Sequence, residues 1–141
     1  MKLLSTANAI TVYKAMSPQQ LAAMIRADWR CIEPGQGGER FCYLKLNCSY
    51  AQMIARRREV ALHGLGYVVK LILPEQILNR YDLETVAYEE HLEYRVPVSD
   101  LKIINQCMVG RASLVSSFSY GHLSCDQASS VTRFGSLACV S

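Results

Sequence analysis

The run Tyr67-Val68-Val69-Lys70-Leu71-Ile72-Leu73 constrains this chain more than any other segment. It is β-branched and aliphatic, with a single charge, and is bounded by Gly64-Leu65-Gly66 and Pro74. Such a run reads as a strand apolar enough to lie in the centre of a sheet. Residues 9–15 (Ala-Ile-Thr-Val-Tyr-Lys-Ala) and 40–46 (Arg-Phe-Cys-Tyr-Leu-Lys-Leu) are β-branched or aromatic and read as two more strands. Residues 93–98 (Glu-Tyr-Arg-Val-Pro-Val) alternate and predict another, with Pro97 near its end, and residues 108–118 supply a last strand or pair.

Helices fall between these strands. Ser17-Pro18-Gln19-Gln20 combines an N-cap, a first-turn proline and a capping-box glutamine, so a helix is expected to about residue 27, burying Leu21, Met24 and Ile25. Ser49-Tyr50-Ala51-Gln52 offers a second box and predicts a helix to about residue 62, ended by Gly64. Residues 74–78 allow one helical turn, and Ser99 is expected to cap a short helix over 100–105. Residues 33–39, rich in glycine, read as a loop. This order, with short strands and no regular crossover helices, predicts a compact α+β domain. Residues 1–118 form the expected domain, and the polar residues 119–141 an extension, packed on it or loosely attached.

Composition narrows the function classes. The 141 residues are 50% hydrophobic and 19% charged, which suits one globular domain with its own core. No apolar run approaches the roughly 20 residues of a membrane span. Ser5, Thr6 and Asn8 interrupt the apolar N-terminus, which argues against a signal peptide and for a cytoplasmic location, or delivery into a target cell's cytoplasm. A net charge of +3 is too mild to argue nucleic-acid binding. Six cysteines without a Cys-x-x-Cys spacing, half of them inside apolar runs, read as free buried thiols, and no metal site is expected. Arg56-Arg57-Arg58 fans around its helix and reads as solvated surface, Trp29 as a core or rim anchor, Met53 and Met108 as core, His63 as a helix-end residue and His122 as exposed.

Several catalytic motifs are excluded. Gly35-Gln36-Gly37-Gly38 has no Lys-Ser/Thr pair, so it is no P-loop. Gly64-Leu65-Gly66 precedes a strand, whereas a dinucleotide fingerprint follows one. No Gly-x-Ser-x-Gly elbow occurs. The informative stretch is His91-Leu92-Glu93-Tyr94-Arg95-Val96-Pro97. His91 and Glu93 are two apart at the start of a strand, so both can face one side. A carboxylate there suits electrostatic work in a cleft, although a solvated acidic loop feeding an edge strand accounts for the same residues.

The order of elements, with Val12-Tyr13-Lys14, Phe41-Cys42-Tyr43 leading to Ser49-Tyr50-Ala51, Gly66-Tyr67-Val68 and His91-Leu92-Glu93, resembles the ADP-ribosyltransferase superfamily, in its compact bacterial toxin and effector domains. The resemblance implies a split β-sandwich of short strands with flanking helices, and NAD as substrate. Glu93 would be the catalytic glutamate, hydrogen-bonded to the nicotinamide ribose, with His91 helping to engage the acceptor. Lys14 would stand where the family carries arginine or histidine and meet the pyrophosphate. Tyr13 belongs to that same first-strand motif, Tyr43 or Tyr50 would stack on nicotinamide, and Ser49 is the nearest hydroxyl to that ring's site. ADP-ribose would go to a macromolecular acceptor or to water, and an immunity or other partner protein would be natural for such a toxin. A non-catalytic interaction module of the same fold, and a small toxin nuclease using His91 or His122 with Lys14, remain alternatives.

Overall fold

A computed structural model describes residues 8–35, 37–86 and 91–120 of the chain. The first strand, β1 (Ala9–Met16), leads through Ser17 into α1 (Pro18–Arg26). The capping box forms as its residue types predict: Ser17 Oγ accepts from the Gln20 N–H at 3.2 Å, and Gln20 Oε1 accepts from the Ser17 N–H at 3.1 Å. β2 (Phe41–Lys45) is followed by one helical rod made of α2 (Cys48–Ile54), a π-helical turn over Ala55–Glu59, and α3 (Val60–His63). Gly64, at φ 83°, ends the rod in the left-handed conformation that glycine adopts without strain. Then come β3 (Leu65–Pro74), α4 (Glu75–Leu78), β4 (Asp82–Thr85), β5 (Leu92–Pro97), a 3-10 turn over Val98–Asp100, α5 (Leu101–Cys107) and β6 (Ser113–Ser119).

The domain is α+β, with six antiparallel strands in the order β4-β5-β2-β1-β3-β6. β3 lies between β1 and β6, as its apolar run demands. β1 pairs with β3 along its whole length, from Ala9↔Pro74 to Met16↔Tyr67, and β2 pairs with β5 from Phe41↔Pro97 to Lys45↔Glu93. Between β1 and β2 the register holds at one pair, Tyr13↔Lys45. Two well-paired groups of three strands therefore meet at a narrow seam.

The two faces of the sheet are covered differently. On one, Val12, Met16, Leu44, Leu71, Leu73 and Val96 pack against Leu21 and Met24 of α1, Leu78 of α4 and Ile104 of α5. Trp29, Tyr67 and Met108 are partly buried against this core. On the other face, Ala15 and Val68 meet Ala51 and Ala55 of the helical rod, with Tyr13 and Phe118 at the margin. The small residues let the rod approach closely. Gly66 of β3 completes the fit, because a Cβ there would overlap the Ala55 carbonyl and stand 2.9 Å from the Glu59 Cβ. Gly66→Ala should therefore push the rod off the sheet, and a loss of roughly 1–3 kcal/mol is expected, the usual range for overpacking, read from urea unfolding.

The structure corrects several expectations. Ile25 is 50% exposed, because Leu21 and Met24 already fill the face of α1 that meets the core. The second helix is capped by Asn47, whose Oδ1 accepts from the Tyr50 N–H at 3.1 Å, so Ser49 lies inside the first turn, exposed. Ser99 sits within the 3-10 turn and makes no cap. Met53 is only half-buried. β4 was not expected from Asp82-Leu83-Glu84-Thr85, which is polar; it forms because β5 offers it a free edge. Cys31, Cys42, Cys48 and Cys107 are free thiols, as expected, but of these Cys42 alone is buried and the other three are partly exposed. Gln36, residues 87–90, His122, Cys125, Cys139 and residues 121–141 of the expected extension lie outside the described residues, as do residues 1–7. Among the described residues, no helix is long and apolar enough to cross a membrane.

Candidate functional site

Side chains alternate along a strand, and directly paired residues share a face. The pairs Tyr13↔Lys45, Lys45↔Glu93 and Glu84↔Glu93 therefore put all four residues on the face covered by the helical rod. Tyr43 belongs to the same face, two residues before Lys45 on β2. Asn47 starts α2 so that Tyr50 reaches back over this part of the sheet.

A buried polar cluster results. Tyr50 OH donates to Glu93 Oε1 at 3.1 Å, and Lys45 Nζ lies 3.4 Å from the same oxygen. Glu93 is only 7% exposed and Lys45 6%. The His91 ring stacks on Tyr50, with centroids 4.5 Å apart and planes 7° from parallel. Lys45 Nζ also lies 5.2 Å from the centre of the Tyr50 ring and 5.9 Å from that of Tyr43, within reach of cation–π attraction. A cation, a carboxylate, a phenol and an imidazole thus share one small volume near the seam.

Burial governs the electrostatics. Desolvation is the main cause that lowers the Lys45 ammonium's pKa below its ordinary value, with help from the charge of Lys14, while Glu93 opposes the shift. Burial pushes the Tyr50 hydroxyl up to about 12, with the Glu93 charge and hydrogen bond adding to it. Tyr81, half-buried and donating to Asp100 Oδ2 at 3.0 Å, is likewise pushed up to about 12. Both phenols are protonated in either state below their ordinary value of 10.0. Between that value and about 12, the unfolded chain gives up protons that the folded chain keeps, so stability falls as pH rises. Lys45 has the opposite sign, adding stability as pH rises toward its ordinary 10.5 and nothing beyond it. Urea midpoints should therefore drop steeply above pH 10.5, and Tyr50→Phe and Tyr81→Phe should each remove part of that drop.

Of the residues singled out in the sequence, Glu93, His91, Tyr50, Tyr43 and Tyr13 come together on one side of the sheet. Two do not join them. Ser49 is exposed on the first turn of α2. Lys14 follows Tyr13 on β1 and so shares the parity of Val12 and Met16, on the opposite face from Glu93. It is still close enough for its charge to act on Lys45 and Cys42 across the seam. The resemblance gave Lys14 the pyrophosphate of a ligand shared with Glu93, but its side chain leaves on the other face, and the cation in contact with Glu93 is Lys45. Sequence reasoning missed it: the only signal was a lone charge in the apolar run Phe41-Cys42-Tyr43-Leu44-Lys45-Leu46, and Lys70 gives the same signal yet is exposed.

A concavity of about 680 Å³ runs along α1 between Gln19, Ala23, Arg26 and the Glu33-Pro34 segment. It is open, and Glu93, Lys45, Tyr50 and His91 are not among its lining residues. Compared with protein-family models, with curated proteins and with solved structures, the chain matches none.

Proposed function

We propose that this chain is an ADP-ribosyltransferase-like domain that binds NAD and either transfers ADP-ribose to a macromolecule or hydrolyses NAD, in the manner of a bacterial toxin or effector. The observation that carries this reading is Glu93: a nearly buried carboxylate at the start of a strand, gripped by Tyr50 and Lys45, beside the seam between two three-stranded groups. The seam is also what supports the split form of the fold.

The chemistry follows from the carboxylate. The bond between the ribose anomeric carbon and the nicotinamide nitrogen breaks, and both electrons leave with neutral nicotinamide. The ribose is left with an oxocarbenium-like positive charge. A fixed negative charge beside it lowers the barrier, more so where water is scarce. Water or an acceptor nucleophile then adds to the carbon and loses a proton. The Tyr50–His91 stack offers an aromatic surface next to the carboxylate, suited to a flat pyridine ring. A ligand with its nicotinamide ribose at Glu93 lies on the face opposite Lys14, so the pyrophosphate contact that the resemblance gave Lys14 is not part of this reading.

Mass spectrometry of NAD incubated with the purified chain, alone and with cell lysate, tests the reading. Free nicotinamide is the expected product, with ADP-ribose in solution or attached to a lysate protein. Neither turnover nor binding of NAD by the wild-type chain would overturn it. A non-catalytic interaction module is then the reading to pursue, favoured by β6, an uncharged edge strand with Leu114 48% and Val115 40% exposed.

A further inference from the structure

The Glu93 carboxylate is held asymmetrically. The Tyr50 hydroxyl and the Lys45 ammonium both address Oε1. Among the described residues, Oε2 receives no hydrogen bond. We propose that Lys45 and Tyr50 are positioning residues that clamp Glu93 through Oε1 and so reserve Oε2 as the acceptor presented to a hydroxyl of the substrate. This deepens the NAD reading and rests on it for the identity of that hydroxyl, but the clamp itself is a property of the protein.

The surroundings explain why a clamp is needed. Glu84 lies directly across from Glu93 on β4, and two carboxylates on paired positions repel. Glu84 is drawn toward Arg95, 3.6 Å away. That leaves Lys45 as the cation in contact with Glu93, while Lys14 acts on Lys45 from across the seam. Tyr13 faces Lys45 from β1, and His91 lies against Tyr50 rather than replacing it as the donor to Oε1. Without the ammonium, the carboxylate would face Glu84 with one hydrogen bond to hold it. A carboxylate free to swing by about 1 Å loses the geometry on which rate depends, at about 10²-fold for such a displacement.

The test combines two substrates with three variants. NAD is compared with an analogue lacking the 2′-hydroxyl next to the reacting carbon, using wild type, Lys45→Met, Lys45→Arg and Tyr50→Phe. Wild type should turn over the analogue more slowly than NAD. In Lys45→Met, kcat for NAD should fall by about 10–100-fold with little change in KM, and the penalty for the missing hydroxyl should shrink, because Oε2 is no longer aimed. Lys45→Arg should recover most of both. Tyr50→Phe keeps the stacked ring, should fold whether or not Lys45→Met does, and should show the same pattern at smaller amplitude. An unchanged hydroxyl penalty in both variants would overturn the proposal. The second readout needs no activity: crystal structures of Lys45→Met and Tyr50→Phe should show Glu93 displaced from its wild-type position. A Glu93 side chain unmoved in both variants would also overturn the clamp. Absence of NAD turnover and binding in wild type would instead remove the functional reading, and the position of Glu93 in the variants would still decide the clamp.

Discussion

Glu93→Gln is expected to lower NAD turnover by about 10²–10³-fold, the usual consequence of removing one preorganised electrostatic group at a reacting centre. The amide keeps the shape of the side chain and leaves an oxygen to accept from Tyr50. What it removes is the negative charge opposite the ribosyl cation. That charge matters most in the transition state, so NAD affinity should change little while kcat collapses. Parallel measurements of turnover, of NAD binding by calorimetry and of thermal melting separate this outcome from unfolding. An active wild type beside an equally active Glu93→Gln would remove Glu93 from the mechanism. Affinity lost in step with rate would make it a binding group instead.

The second large effect concerns stability. Lys45→Met should destabilise the domain by about 3–5 kcal/mol, since breaking a buried ion pair from one side leaves the other charge without compensation. Lys45→Met combined with Glu93→Leu should regain most of that loss, because a buried pair replaced by apolar groups of similar size is often neutral or stabilising. Urea unfolding of the two single variants and the double variant gives the coupling directly. A restored double variant that has lost all NAD turnover would mean that the pair serves chemistry at little benefit to folding. A double variant no more stable than Lys45→Met would mean that the two charges are integral to the packing of β2 on β5.

The fold was largely legible in the chain because its signals are local. The Ser17–Gln20 box, the Gly64 helix end and the apolar run through Leu71 each depend on residues a few positions apart. Their physics is backbone hydrogen bonding and side-chain periodicity, which operate within one element. β4 was not legible, since its polar residues carry no strand preference and take their conformation from an edge that β5 provides.

For the site, the sequence by itself determined that His91 and Glu93 share one side of a strand, since alternation is a property of any extended backbone. It also placed Tyr50 near the start of a helix. Tertiary structure alone decided the partners. Lys45 and Lys70 look alike in sequence, each a single lysine among aliphatic neighbours. Lys45 is buried because it pairs with Glu93 and lies beneath Tyr50, whereas Lys70, on the neighbouring side of the seam, stays exposed. Lys14 does not share the site that motif order suggests for it because one residue of parity on β1 sends it through the sheet to the other face. A one-residue step reverses a side chain's direction, and which direction meets a carboxylate depends on a strand 48 residues further along, from Lys45 to Glu93.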